Sequence, residues 1–168
     1  MVLIFVSSLN ENVKLANKIQ IQLKENSIES KIVNLVEMNL PMYDTNKEQN
    51  DGIPQKALDL GEEMKSAAGY VFVAPEYNFN VPPVLVNMIA WVSRIGDDFR
   101  ELFSSKIIQL ATHSGSNGID LLNSMRNQFT KLGSIVMPRE IITSYTSALR
   151  EDSSKEILKQ FTTFIKDK

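Results

Sequence analysis

Two short runs of apolar residues constrain the fold of this chain more than any other feature, because neither run alternates with polar residues. They are Val2 to Val6, which reads VLIFV, and Gly69 to Ala74, which reads GYVFVA. A half-exposed strand alternates between apolar and polar residues, whereas a strand buried on both faces of a parallel sheet is apolar throughout. The sequence therefore predicts a parallel sheet that is covered by helices on both sides.

Strand-like and helix-like patterns alternate through the rest of the chain. Three further strands are predicted, at residues 31–36, 107–111 and 134–137, and the first of these alternates enough to lie near an edge of the sheet. Helices are predicted between the strands and after the last one. Five strands and five helices in strict alternation predict an α/β fold, a flavodoxin-like doubly wound five-stranded parallel sheet with strand order 2-1-3-4-5 and helices on both faces.

The predicted helices have recognisable ends. The second covers residues 54–67, the third covers residues 82–95, and the fourth ends at Gly133, a residue type that favours a helix C-terminus. The last helix is predicted to begin at the capping-box pattern Ser153 to Glu156. Its predicted buried residues are Ile157, Leu158, Phe161, Phe164 and Ile165.

The composition excludes several classes of function. The 168 residues predict a single domain over residues 1–168, and 18 basic against 20 acidic residues give a net charge of -2. No run of like charges indicates a nucleic-acid or membrane partner. Cysteine is absent, which excludes disulfides and a thiolate nucleophile, and no metal site is predicted. The apolar N-terminal run is too short for a signal peptide or a membrane span, so a cytoplasmic protein is expected.

The segment from Pro75 to Arg94, PEYNFNVPPVLVNMIAWVSR, joins a polar loop to a long apolar helix. Proline lacks a backbone donor and cannot continue a central strand, so Pro75 ends the strand before it. Proline is tolerated in the first turn of a helix, so Pro82 and Pro83 mark a helix start. A strand, a polar loop and a helix therefore follow one another here.

The predicted topology places ligands at the carboxyl ends of the strands, between strands 1 and 3. Three loops reach this edge, at residues 7–12, 75–81 and 112–118, and all three are rich in small and amide residues. Such loops suit a ligand held by backbone N–H groups and neutral side chains, with a phosphate at the N-terminus of the first helix.

The residues between Pro75 and Arg94 form motifs that resemble those of a known family. P-E-Y-N, V-P, L-x-N and W-x-S-R between Pro75 and Arg94 stand at the spacing of the NADPH-dependent FMN reductase family, which this chain resembles. The glycine-containing loop from Ser114 to Gly118 is similar to that family's loop after strand 4. The resemblance implies that NADPH or NADH gives a hydride to FMN, which passes electrons to free flavin, a quinone, an azo compound or a metal oxyanion. It implies no catalytic side chain, because the cofactor carries the chemistry.

The resemblance also implies a set of cofactor-binding residues in the three loops. They are Ser7, Ser8, Asn10, Asn12, Pro75, Glu76, Tyr77, Asn78, Phe79, Asn80, His113, Ser114, Gly115 and Gly118. The first loop departs from the family's Gly-Ser-x-Arg, since Asn10 stands in place of the cation. A charged donor contributes roughly 1.5 to 3 kcal/mol and a neutral one roughly 1, so weaker FMN binding is expected. Glu11 is expected to repel a phosphate unless it points away.

Several of these residues have simpler interpretations. Glu76 and Tyr77 are alternatively plain surface residues, and Phe79 either covers the flavin or packs locally. Ser7, Ser8 and Asn10 alternatively only cap the first helix, since serine and asparagine are usual N-caps. His113 is the only histidine, but hydride transfer through a flavin needs no side-chain base.

The helix at residues 82–95 is apolar nearly all round, which predicts burial on more than one side, by the sheet and by a partner subunit. The resemblance implies that the assembly is a homodimer or homotetramer. Residues 39–53 show no periodicity and are interpreted as a surface loop. The alternative is a mobile flap from which Met42 or Tyr43 reaches a flavin across a dimer. The alternatives to a reductase are a flavodoxin-type electron carrier and a regulatory module without reductase activity.

Overall fold

The computed structural model describes residues 1–166, and its sheet follows the apolar runs of the sequence. Every strand pairing is parallel, and the strands lie in the order β2-β1-β3-β4-β5, with β6 also paired to β4. The predicted strand order and the edge position of β2 are therefore confirmed. The strands are β1 Val2–Val6, β2 Ser30–Asn34, β3 Gly69–Val73, β4 Ile107–His113, β5 Ile135–Val136 and β6 Ile141–Thr143.

Helices cover both faces of the sheet, as the unbroken apolar strands require. Side chains of β1 and β3 alternate between two buried clusters, one that includes α4, α5 and α6 and one that includes α1 and α7. The described residues form seven helices, two more than predicted. They are α1 Glu11–Glu25, α2 Leu35–Met38, α3 Thr45–Asp51, α4 Gln55–Ser66, α5 Pro83–Val92, α6 Ile119–Lys131 and α7 Glu151–Lys166.

The fifth position of the sheet is interrupted, which the sequence did not predict. Ile135 and Val136 pair with the first half of β4, while Ile141 to Thr143 pair with its second half. Pro138 lies between the two short strands. Because proline cannot donate to a ladder, the strand predicted at residues 134–137 ends at Val136, and strand pairing resumes at Ile141.

Two predicted element ends and one predicted buried residue are corrected. The strand predicted at residues 31–36 ends at Asn34, because the Asn34 side chain accepts from the N–H groups of Val36 and Glu37 and caps α2. The last helix begins at Glu151, two residues before the predicted capping box. Phe164, predicted to be buried, is 50% exposed, whereas the other four predicted residues of this helix are buried.

Residues 39–53 contain the helix α3, which the lack of apolar periodicity concealed. Asp44 caps α3 by accepting from the Lys47 N–H group at 2.8 Å. The preceding residues are held against α5. The indole N–H of Trp91 donates to the carbonyl of Pro41 at 2.7 Å, and the side chain of Asn87 both donates to Pro41 and accepts from the Tyr43 N–H group at 2.8 Å.

This contact changes the interpretation of α5. The ring of Tyr43 meets the Trp91 ring edge-on, with centroids 5.1 Å apart. Residues 40–43 of the same chain therefore cover part of the α5 surface that the sequence alone assigned to a partner subunit. Tyr43 packs within its own chain, whereas Met42 beside it is exposed.

We predict that Asn87→Ala loosens residues 40–43 selectively. The variant leaves the Tyr43 N–H group and one bond to Pro41 unmade, which lowers the free energy of unfolding by about 1 to 3 kcal/mol. Amide exchange at Tyr43 is expected to accelerate more than exchange in the central strands. The matched control is Ser93→Ala on the same segment, and an equal loss of stability in both variants would contradict the prediction.

Candidate functional site

The register of the sheet brings the ends of three strands together. The Ser7 N–H group donates to the Val73 carbonyl at 3.1 Å, and the Ala74 N–H group donates to the Ala111 carbonyl at 3.1 Å. Three segments therefore start side by side. They are the first loop with the start of α1 (residues 7–12), the third loop, which follows β3 (residues 74–82), and the fourth loop, which follows β4 (residues 114–118). Backbone pairing uses the polar groups inside the strands, so at this edge of the sheet the free donors lie in these loops.

The first loop leaves several donors without a protein partner. Within residues 1–166, the N–H groups of residues 8–12 donate to no protein acceptor, and the buried Ser7 hydroxyl has no partner. Asn10 stands at the N-cap of α1, but its side chain makes no capping bond. The alternative in which these side chains only cap α1 is therefore wrong. Free amides at a helix N-terminus form a site for an anion.

Asn12 has a different role from its neighbours in the first loop. Its side chain donates to the His113 carbonyl at 2.9 Å and accepts from the His113 N–H group at 2.8 Å. The residue is buried, and both ends of its amide are used. Asn12 thus fixes the start of α1 to the end of β4, and its backbone N–H group is left for a ligand.

Glu11 does not direct its charge at the first-loop amides. Its carboxylate accepts from the Lys14 ammonium at 2.6 Å. This hydrogen bond to Lys14 lowers the pKa of the Glu11 carboxyl below its usual range. The expected repulsion of a phosphate is therefore offset by the neighbouring cation.

The third loop contains a tight turn with an unusual backbone. Tyr77 and Asn80 exchange two backbone hydrogen bonds of 3.1 and 3.0 Å, and the two residues between them, Asn78 and Phe79, have φ values of 48° and 60°. Asparagine tolerates this left-handed region, but for other residues with a side chain it costs roughly 1 to 2 kcal/mol. Phe79 is 72% exposed, so packing within its own chain does not explain the strain.

Glu76 fastens the third loop to the fourth loop. Its N–H group donates to the Ser114 hydroxyl at 3.0 Å, and its carboxylate accepts from the Ser116 hydroxyl at 2.5 Å. The same carboxylate accepts from the Leu121 N–H group in the first turn of α6 at 3.3 Å. Glu76 is therefore not a plain surface residue, whereas Tyr77 beside it is half-exposed.

A chain of hydroxyl groups continues this connection into the sheet. The Thr112 hydroxyl donates to the Ala74 carbonyl at 2.7 Å, so it accepts from the Ser114 hydroxyl 2.7 Å away. Sequence reasoning did not single out Thr112 or Ser116 as site residues. The only signal for them was the run of hydroxyl residues that follows β4 opposite a loop with a carboxylate.

The two glycines of the fourth loop differ in what they contribute. Gly118 has a φ of +65°, and a side chain there would meet Thr112 at 3.0 Å, so the fold favours glycine. A side chain at Gly115 would meet no atom within 4 Å. Gly115 therefore leaves open space beside the loop, which suits close approach of a ligand.

Two of the remaining predicted residues, Pro75 and His113, lie away from the turn between Tyr77 and Asn80. Pro75 is buried behind the loop. The ring of His113 lies among residues of α1 and the segment after β6, with its Nδ1 3.0 Å from the Thr143 hydroxyl and its ring 4.9 Å from that of Tyr145. The exposed Asn80 uses its side-chain oxygen to accept from the Val81 N–H group.

Solved structures share the fold of this chain. FerB, a flavoenzyme NAD(P)H:(acceptor) oxidoreductase from Paracoccus denitrificans, superimposes with a TM-score of 0.75 over 98% of this chain and 94% of that protein, at 19% identity. An oxidoreductase from Corynebacterium diphtheriae gives a TM-score of 0.76 over 99% and 97% of the two chains, at 11% identity. At these identities the likeness concerns the fold alone, and it agrees with the predicted flavodoxin-like sheet.

Sequence comparison gives the family. A quinone reductase of Escherichia coli K12 is 43% identical over 58 residues, which are 34% of this chain and 31% of that protein. A probable NADPH:quinone oxidoreductase 2 of rice (Oryza sativa subsp. japonica) is 31% identical over 71 residues, 42% of this chain and 35% of that protein. The aligned stretches thus span about a third of each relative. The family model described as NADPH-dependent FMN reductase matches residues 1–147, and the chain belongs to that family.

Proposed function

We propose that the protein is an FMN-dependent NAD(P)H oxidoreductase. It would pass two electrons from NADPH or NADH through FMN to a small acceptor such as free flavin, a quinone, an azo compound or a metal oxyanion. The observation that carries the proposal is the set of unpaired donors at the end of β1, the Ser7 hydroxyl and the N–H groups of residues 8–12, beside the strained turn of the third loop. Family membership supports the same cofactor pair.

The chain's residues fit FMN in two parts. The first-loop amides with Ser7, Ser8 and Asn10 would hold the phosphate, because neutral donors at a helix N-terminus suit an anion. The N–H groups of Asn78 and Phe79 have no acceptor within the described part of the chain, and with Gly115 they would border the ring system. FMN, when bound, supplies the hydride chemistry, while the loops bind it, orient it and exclude water.

Glu76 and Asn12 would hold the loops of the site in position. Glu76 joins the third and fourth loops, and Asn12 fixes the start of α1 to β4. Neither residue needs to touch the cofactor for this role. Both would keep the loops at a constant separation, which a preorganised site requires.

We further propose a homodimer or homotetramer in the cytoplasm, with residues 1–168 acting as one domain. Exposed apolar side chains support an assembly, among them Val86 on the outer side of α5 and Phe79 and Met42. A monomeric mass in light scattering at micromolar concentration would contradict it. None of the helices in residues 1–166 is long and apolar enough to cross a membrane.

The test of the proposed function is anaerobic reduction of the FMN-loaded protein. We expect a yellow protein whose flavin absorbance bleaches on addition of NADPH or NADH and returns when a quinone is added. Loading at saturating and at trace FMN measures the flavin affinity in the same experiment. A protein that remains colourless at saturating FMN, or whose bound flavin no nicotinamide reduces, would rule the function out.

We predict that Glu76→Gln and Ser116→Ala each weaken FMN binding about tenfold, since a charge-assisted hydrogen bond contributes roughly 1.5 to 3 kcal/mol. Because both variants break one connection, the double variant should be little worse than either alone. The dissociation constant is read from flavin fluorescence. The matched control is Asp120→Asn, which removes an exposed charge from the same end of α6. Additive losses in the double variant would show that the two residues act separately.

We predict that Phe79→Gly stabilises the flavin-free protein and weakens FMN binding. Glycine removes about 1 kcal/mol of strain at a φ of 60°, while the exposed ring is lost as a cover for the flavin. Thermal unfolding of the flavin-free chain and titration with FMN measure the two effects. Asn78→Gly in the same turn relieves less strain and removes no ring, so it should leave FMN affinity unchanged. A stabilised Phe79→Gly protein with unaltered affinity would assign the ring no part in flavin binding.

A further inference from the structure

A pocket of about 310 Å³ lies beside the first loop, between α1 and the segment that follows β6. We call it the α1–β6 pocket. Its volume is at the lower end of the range for small-ligand sites, roughly 300 to 1,000 Å³. Its lining includes Glu11, Lys14 and Lys18 on α1, His113 at the end of β4, and Ser144 and Tyr145 after β6.

The charge of the α1–β6 pocket favours an anion. Lys14 and Lys18 are four residues apart and therefore lie on one face of α1, the face that also carries Glu11. Glu11 is hydrogen-bonded to Lys14, whereas Lys18 makes no ion pair with any group in residues 1–166. The lining thus holds two ammonium groups against one carboxylate.

His113 lines the pocket, and one of its ring nitrogens has no hydrogen-bond partner among residues 1–166. The Thr143 hydroxyl donates its only hydrogen to the Thr112 carbonyl at 3.2 Å, so it accepts from Nδ1–H of His113. The other nitrogen, Nε2, is buried and has no partner within the described residues. Because Nδ1 carries the ring hydrogen, a ribose hydroxyl that reached Nε2 would donate to it. This contact would satisfy a buried polar atom whose isolation is costly.

Tyr145 adds a surface for a planar base. Its ring is 79% exposed and meets the edge of the His113 ring with centroids 4.9 Å apart. It lies in a turn that two backbone hydrogen bonds between Ser144 and Ser147 close, at 2.8 and 3.2 Å. An exposed aromatic ring on a fixed turn is suited to stack a nucleobase. The lining therefore offers a ring that can stack a base, a nitrogen that can accept from a ribose, and two cations that can bind a phosphate. Together these groups favour a phosphorylated nucleotide as the ligand.

We propose that the α1–β6 pocket binds the adenosine 2'-phosphate group of NADPH and makes the protein prefer NADPH to NADH. The proposal rests on the proposed reductase function. The 5'-phosphate of FMN has the same chemistry and is the other possible source, but the unpaired first-loop amides already provide for it. A phosphate in the α1–β6 pocket would be held by Lys14 and Lys18, with the adenine on Tyr145.

The test uses the flavin-free chain, so that it needs neither bound FMN nor activity. Adenosine 2',5'-bisphosphate and AMP are titrated calorimetrically into the wild type and into a Lys14→Met/Lys18→Met variant. We expect the bisphosphate to bind at least about tenfold tighter than AMP, and the variant to lose that difference. Lys24→Met, which removes a charge from the far end of α1, is the matched control. Glu11→Gln frees Lys14 and should tighten bisphosphate binding.

The second readout is made with the FMN-loaded enzyme. The single variant Lys18→Met keeps the Glu11–Lys14 ion pair, and it is expected to show a severalfold higher KM for NADPH and an unchanged KM for NADH. Equal affinity of the wild type for bisphosphate and AMP, or equal binding by wild type and double lysine variant, would overturn the proposal. A variant that loses FMN affinity while it keeps bisphosphate affinity would assign the α1–β6 pocket to the flavin phosphate and likewise overturn it. If neither nicotinamide reduces the bound flavin, the proposed reductase function fails, but the calorimetric result for the α1–β6 pocket still stands.

Discussion

Burial of β1, β3 and β4 on both faces is the constraint on which the rest of the structure depends. Their side chains are apolar almost throughout, and their backbone groups pair with neighbouring strands. Apart from Gln109, which is buried within β4, the polar groups that a ligand could contact therefore lie at the strand ends. Parallel pairing brings those ends to one edge, so residues more than a hundred positions apart, such as Asn12 and His113, meet there.

The loops at this edge are joined to one another by side chains. From Glu76 the hydrogen bonds run through the Ser114 and Thr112 hydroxyls to the Ala74 carbonyl, so the loop after β4 is fixed to the loop after β3. A chain of this kind makes each bond depend on the orientation of the next. Strain at Phe79 persists because the two hydrogen bonds between Tyr77 and Asn80 hold the turn around it.

The features that were predicted correctly from the sequence are those determined by the burial of whole strands. The unbroken runs of β1 and β3 gave the parallel sheet, and alternation gave its order, because strand burial on both faces leaves little choice of topology. The sequence did not predict α3, which buries none of its residues and so carries no periodicity. It also missed the division at Pro138, since strands of two and three residues are too short to show a period.

The roles of site residues were predicted less well for a related reason. Glu76 stood out as part of a motif, but its partners Ser116 and Leu121 are forty or more positions away, and no local pattern encodes such pairing. Asn12 looked like a free amide of the first loop until the end of β4 was placed beside it. Local sequence patterns determine where helices and strands form. The hydrogen-bond partners of a polar side chain, in contrast, depend on residues that only the fold brings close.

The free N–H groups and the lysines of α1 lie in different parts of the helix. Asn10 offers the first loop no cation, so neutral donors carry all of the anion recognition that this loop provides, each contributing roughly 1 kcal/mol. The cations of α1 begin one turn later, at Lys14, on the face that the segment after β6 borders. Helix geometry therefore divides the two functions, with free amides at the helix end and ammonium groups along its side.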